Sequence, residues 1–242
     1  MSSNIVMNSI FNLLPIDLIS LLISYLKFRE WGVLDNAFST HSEERDRWLQ
    51  ALRLSTIDVE IETKNKTLDN YIPLNWLIAK GIQVLSWELR HGNDEQQLID
   101  IANGLPMLQS LEICNYLNIT ALGINAISNG LKKLKSLYSN SFRNITDAEV
   151  TRLSNELVSL ESLELGYCPN ISDIGVTSIA TGLKKLKYLS LISCDGVTDQ
   201  GVTSIVNGLP RLLSFEICGS HITNEGVTTI ARGLPLLDSL KI

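Results

Sequence analysis

A fixed period constrains this chain more than any other feature. Ile82, Leu108, Leu134, Leu160, Leu186 and Leu212 stand 26 residues apart, and Leu237 follows after 25. Apolar residues recur at the same offsets in each copy. Leu111 and Ile113 follow Leu108, Leu163 and Leu165 follow Leu160, Leu189 and Leu191 follow Leu186, and Phe215 and Ile217 follow Leu212. A repeat of this length specifies a solenoid, in which each unit buries its apolar face only against its neighbours. Solenoids present long repetitive surfaces and generally bind macromolecules rather than carry out chemistry.

One copy, residues 160–186, shows how the unit folds. Leu163 and Leu165 flank polar Glu164, the alternation of a strand with one buried face. A turn follows at Cys168-Pro169-Asn170, and Ser172-Asp173 opens a helix. Thr120, Thr146, Thr198 and Thr223 recur where Ser172 stands, so that a hydroxyl can accept free N–H groups of the first turn. Asp147, Asp173 and Asp199 come next, where the helix dipole favours negative charge. Gly104, Gly130, Gly182, Gly208 and Gly233 end the helical spacing, and a left-handed C-terminal turn is the expected reason for glycine there. Pro106, Pro210 and Pro235 follow and forbid continuation. One copy departs, with Glu149 and Glu156 where most have Gly, and Thr146 with Glu149 forms a capping-box pattern that keeps the fold. The pattern predicts strands starting near Val84, Ser110, Ser136, Ser162, Tyr188 and Ser214. It predicts helices over about 95–103, 121–129, 147–156, 173–181, 199–207 and 224–232. The fold class is α/β, a parallel sheet on the concave face with helices outside.

These residues carry a resemblance. The run LxxLxLxxC followed by IT-D-x-GV-xxIA-xGLxxL resembles the cysteine-containing class of leucine-rich repeat over residues 82–242. Cys168 and Cys194 occupy that family's cysteine position; Tyr116, Phe142 and Ser220 replace it in other copies.

Composition narrows the partners. Lys and Arg total 20 against 26 Asp and Glu, a net charge of −6, which offers no general attraction to nucleic acid or to an acidic membrane surface. The apolar stretch Ile5–Leu26 lacks a basic n-region and a small-residue cleavage site and contains Pro15 and Asp17. It therefore reads as an amphipathic helix rather than a signal or membrane segment. A cytoplasmic or nuclear setting and free thiols at all four cysteines are the expectation. Asn65, Asn118, Asn144 and Asn170 match the glycosylation acceptor pattern, but the last three are the repeat's own turn residues. Cys168 and Cys194 stand one rung apart, where stacked buried thiols are expected rather than a disulfide. His41, His91 and His221 are scattered, and no Cys/His group has metal-ligand spacing.

Residues 1–54 do not repeat. Apolar residues at 14, 18, 21, 22, 25 and 26 mark one helical face, and Trp31–Phe38 and Ser42–Leu54 read as two further short helices. Leu14-Pro15-Ile-Asp17-Leu18, then Ile23-Ser-Tyr25-Leu26, then Trp31 to Leu34 and Trp48, resemble an F-box. The stretch Asn36–His41 has no Trp where that family usually carries one. The resemblance implies docking of Leu14, Pro15, Leu18, Leu22, Tyr25 and Leu26 on a Skp-type adaptor of a cullin–RING ubiquitin ligase. The alternative is a helical cap over the first repeat. Residues 55–81 read as a linker, with a strand around Val59 and Ile61, and a capping helix over Tyr71–Lys80.

With leucines pointing inward, the residues between and after them face the concave side. The expected protein-binding residues are Glu88, Glu112, Cys114, Tyr138, Asn140, Glu164, Ser190, Ile192, Glu216 and Cys218. They suit a mixed, partly basic protein segment; the alternative is that these glutamates are merely solvated and a ridge of loops forms the binding surface. No nucleophile stands beside an activating base at predictable spacing, so neither catalysis nor a cofactor is expected. The function that follows is a non-catalytic interaction module, a ubiquitin-ligase substrate receptor or a scaffold with no ligase link, binding an unknown protein substrate. At the C-terminal end, Leu240 to Ile242 begin a seventh strand with no polar helix after it, and the expectation is an edge that either pairs with a partner or is left bare in a chain cut short of a longer repeat array.

Overall fold

The computed structural model describes residues 50, 57–59, 78, 84–90, 95–114, 119–140 and 142–242. The chain divides into two units, residues 1–59 with 67–86 and residues 60–66 with 87–242. In the first, Ile57–Val59 forms a short strand, β1, within the stretch where sequence alternation predicted one. The six adaptor-directed residues Leu14, Pro15, Leu18, Leu22, Tyr25 and Leu26 lie outside the described residues, as does the helix expected over Tyr71–Lys80 apart from Ile78.

The second unit is the repeat array. After β2 (Val84–Arg90) come α1 (Glu95–Gly104), β3 (Ser110–Cys114), α2 (Ala121–Gly130), β4 (Ser136–Ser139), α3 (Asp147–Glu156) and β5 (Ser162–Gly166). Then follow α4 (Asp173–Gly182), β6 (Tyr188–Ile192), α5 (Asp199–Gly208), β7 (Ser214–Cys218), α6 (Asn224–Gly233) and β8 (Ser239–Lys241). These bounds match the periodic pattern to within a residue. From β3 to β8 the strands pair in chain order, all parallel. Each register step equals the sequence period: Leu111 pairs with Leu137, Leu137 with Leu163, Leu163 with Leu189, and Leu189 with Phe215.

That register stacks like on like. The inward column of Leu111, Leu137, Leu163, Leu189 and Phe215 is buried, as is the next of Ile113, Leu165, Leu191 and Ile217. Ser139 stands fully buried in that second column, the polar exception. The helices contribute Ile124, Ile127, Val150, Leu153, Val176, Ile179, Val202 and Ile205 to the same core. Burying a side chain of this size contributes about 1.5–3 kcal/mol, and no unit obtains that without a neighbour on each side.

The helix starts behave as the hydroxyl pattern predicts. Thr120, Thr146, Ser172, Thr198 and Thr223 are all extended N-caps whose side chains accept the amide two residues on. The acids beside them do more than complement a dipole. Asp147 Oδ1 accepts the amides of Ser172 (2.8 Å) and Gly175 (3.0 Å) in the next repeat, and Oδ2 accepts the Ser172 hydroxyl at 2.6 Å. Asp173 does the same for Thr198 and Gly201, and Asp199 binds Thr223. Glu95 takes this role for Thr120 and Gly123. The hydroxyl and amide of Thr223 hold the Asp199 carboxyl below the usual carboxylate range. The starts of α2, α4, α5 and α6 are thus satisfied by the repeat before them.

The reading of the terminal glycines changes. The helices do not end in left-handed turns, because the cap residue after Gly182 is Leu183 at φ −95° and the one positive-φ glycine described is Gly219. The terminal helix glycines are required by close approach instead. A Cβ on Gly182 or Gly208 would collide with the backbone oxygen of Ser154 or Ala180 in the preceding helix. Gly175 is needed for a second reason: its Cβ would lie 2.5 Å from Asp147 Oδ1.

Candidate functional site

The sheet has one face filled by the core columns. The other carries three columns set by the strand alternation. The middle column runs Glu112, Tyr138, Glu164, Ser190, Glu216, Lys241 across β3 to β8. Beside it run Gly166, Ile192 and Cys218 in register, continued by the sequence period to Asn140, Cys114 and Glu88. A third column, Ser110, Ser136, Ser162, Tyr188, Ser214, Ser239, precedes them and was not among the expected contact residues.

Most of the expected residues do share this face. Glu112, Cys114, Tyr138, Asn140, Glu164, Ile192, Glu216 and Cys218 are half-buried on it. Two are corrected. Ser190 belongs to the right column but is fully buried, and Glu88 retains only 8% of its surface. The Ser190 hydroxyl donates to Glu216 Oε2 at 3.4 Å. Above it the Tyr188 phenol spans two strands, donating to Glu164 Oε2 (3.2 Å) and toward Glu216 Oε2 (3.4 Å). Tyr188 therefore holds the centre of the face that Ser190 was expected to present. The signal for it was available: it is the one aromatic in a column otherwise made of serine.

The electrostatics follow from this crowding. Burial, then the nearby Glu164, Cys114 and Glu112, push the Tyr138 phenol up to about 12. Burial chiefly, with Glu164 and Glu216 adding, raises Tyr188 to about 12. The Glu164 carboxyl is raised by burial and by the like charge of Glu216, against the lowering effect of the Tyr188 hydrogen bond. Lys241 approaches Glu216 Oε1 at 3.5 Å from the β8 edge. These phenols stay protonated at neutral pH and act as hydrogen-bond donors and as ring surfaces, not as nucleophiles.

The four cysteines are free thiols. Cys168 and Cys194 are fully buried. Cys168 donates to the Gly166 carbonyl at 3.4 Å, and its hydrogen bond with Cys194 together with burial pushes its thiol up. Cys114 donates to Glu112 Oε1 at 3.2 Å. Cys114, Glu112 and Glu88 bring side-chain ligand atoms within 4.8 Å of one another, a grouping that sequence spacing did not suggest. Among the described residues, no helix is long and apolar enough to cross a membrane.

Residues 157–180, which span β5 and most of α4, match the family described as Leucine Rich repeat. No curated protein gives a match. Among solved structures, an internalin (inlF) from Listeria monocytogenes str. 4b F2365 is similar at 23% identity with a TM-score of 0.49, over 83% of this chain and 50% of that one. The chain thus spans about half the length of that protein. Residues 157–180 thus match a leucine-rich repeat, and the strand register carries a unit of the same length from β3 to β8.

Proposed function

We propose that this chain is a non-catalytic protein-interaction module that binds a partner protein across the open sheet face. The observation that carries the reading is that face: three in-register columns of polar and aromatic side chains, with no helix laid over them among the described residues. Such a surface offers many weak contacts at fixed spacing, which is how solenoids recognise extended partners. The site holds phenols kept neutral and carboxylates facing each other, and no nucleophile–base–orienter set of the kind catalysis needs.

The finer form of the proposal makes the chain a substrate receptor of a cullin–RING ubiquitin ligase, with Leu14, Pro15, Leu18, Leu22, Tyr25 and Leu26 meeting a Skp-type adaptor. It rests on the F-box-like sequence of residues 14–48 followed by repeats that resemble the cysteine-containing class. The simpler form, a binding scaffold with no ligase link, needs only the repeat face. Co-expression of the full chain with a Skp-type adaptor separates them. A receptor co-purifies with the adaptor, and changing Leu14 and Pro15 together to Ala abolishes this without lowering the melting temperature. Absence of the adaptor from the wild-type preparation leaves the scaffold reading. A large drop in melting temperature on the double substitution assigns those residues to a cap.

A further inference from the structure

We propose that the open sheet face takes an extended segment of a partner protein with Lys or Arg at every third residue, lying across the strands over Glu112, Tyr138, Glu164, Tyr188 and Glu216. This rests on the reading that the face is the protein-binding surface and names the chemistry of what binds. Charge complementarity is the first argument. The three columns present Glu112, Glu164 and Glu216 against Lys241 alone among the described residues. Carboxylates gathered on a partly desolvated surface focus a field that attracts cations. Burial and Glu216 already disfavour the charge on Glu164, and a guanidinium or ammonium placed between them relieves that directly.

The second argument is the aromatic pair. Tyr138 and Tyr188 are half-buried beside those carboxylates, with phenols that remain neutral. A ring face next to a carboxylate is a recognition element for a cation, worth about 0.5–2 kcal/mol depending on desolvation. Phosphate, nucleic acid and anionic lipid are repelled by the same set. A purely apolar helix finds little to cover among Ser110, Ser136, Ser162, Ser214 and Ser239.

The third argument is spacing. Glu112, Glu164 and Glu216 sit on β3, β5 and β7, alternate strands of the sheet. Two strand spacings are about 9.6 Å. In a polyproline II segment, residues three apart point to the same side and are separated by about 9.3 Å. Basic side chains at every third residue therefore meet successive carboxylates, with Tyr138 and Tyr188 under the residues between.

The test uses the full chain and fluorescent peptides in an anisotropy titration. One peptide places three arginines at every third position among Pro and Ser; a second has the same composition with the arginines contiguous; a third replaces Arg by Glu. The spaced peptide should bind about tenfold tighter than the contiguous one, a difference of about 1.4 kcal/mol, and the acidic peptide should not bind. Glu112→Gln, Glu164→Gln and Glu216→Gln combined should weaken the spaced peptide about tenfold or more, with an unchanged circular dichroism spectrum. Glu161→Gln, which removes a carboxylate paired with Lys187 away from the face, should leave binding as it was. Equal affinity for spaced and contiguous peptides, or full affinity in the triple variant, overturns the proposal. So does a dimer of the chain that the triple variant dissolves, since a second copy then occupies the face. If the peptides fail but the triple variant loses a partner held by the wild type, the docking surface stands and its basic chemistry falls. If it keeps every partner, the docking reading itself falls.

Discussion

Ala121 and Glu149 are complementary departures from the repeat. Ala121 opens α2 where the later repeats place Asp147, Asp173 and Asp199, so it offers no carboxylate to the cap that follows. Glu149 supplies it from within α3, accepting the Thr146 amide at 2.9 Å and its hydroxyl at 2.6 Å in a complete capping box. It occupies the position held by Gly175 and Gly201 in repeats whose cap receives a carboxylate from outside. The Thr146 hydroxyl accordingly holds the Glu149 carboxyl below its usual range.

This exchange should be reversible by mutation. Glu149→Gly removes the internal acceptor and should cost about 1 kcal/mol, as loss of a cap does. Ala121→Asp alone drives a second carboxylate into the space of the first and should also destabilise. Together they recreate the arrangement of Asp147 with Gly175 and should recover most of the loss. Denaturant unfolding of the four proteins measures the coupling, and additive effects within about 0.5 kcal/mol would show the two sites to be independent.

Gly182 gives a test of why glycine ends these helices. In a left-handed turn Asn substitutes tolerably and Ala poorly. Here a Cβ meets the Ser154 backbone oxygen, so Gly182→Asn and Gly182→Ala should destabilise alike, by about 1–3 kcal/mol. Thermal melts in which Asn is clearly the milder change would restore the left-handed explanation.

The thiols should separate into two classes. A maleimide reagent on the folded chain should label half-buried Cys114 and Cys218 first. Cys168 and Cys194, fully buried, should react only as fast as the repeats open. Mass spectrometry of the partially labelled protein distinguishes the sites, and early labelling at Cys168 would contradict the packing.

Glu164 should make the fold less stable at neutral pH than in mild acid. Its folded-state carboxyl is raised by burial and Glu216, so the folded chain holds this proton more tightly than the unfolded one. The contribution to stability is full below the ordinary carboxylate range and is lost as pH rises through the raised value. Glu164→Gln should therefore raise the melting temperature at pH 7 and have little effect near pH 4. An equal effect at both pH values would place its origin in packing rather than charge.

The strands and helices were legible because two periods coincide. Alternation within LxxLxL fixes which residues point inward, and the 26-residue step fixes the register, so Leu163 could only stack on Leu137 and Leu189. What escaped lies between residues that the step does not relate. A lone aromatic in a serine column singles out Tyr188 but does not say that it covers Ser190, because that depends on a side chain of the third column reaching Glu164 and Glu216 on both neighbouring strands. The role of Asp147 was missed for the same reason. Its place at a helix start suggested a purely local effect, while its partners Ser172 and Gly175 belong to the next unit. Gly182 was assigned to a turn from its place at a helix end, although its demand comes from the adjacent helix.

The carboxylate ladder has a consequence for how such a chain can be rearranged. Modules that begin with Asp173 and Asp199 are interchangeable, because each hands an acceptor forward and each receives one. The module holding Glu149 is not. Moved behind any neighbour whose helix opens with Asp, it would bring two carboxylates to a single amide, and a module without its own Glu set behind Ala121 would find none. The Ala121–Glu149 pair is thus a keyed joint. It fixes the order in which these otherwise similar units can be strung together, and it marks the place where a duplication or deletion would have to carry both residues at once.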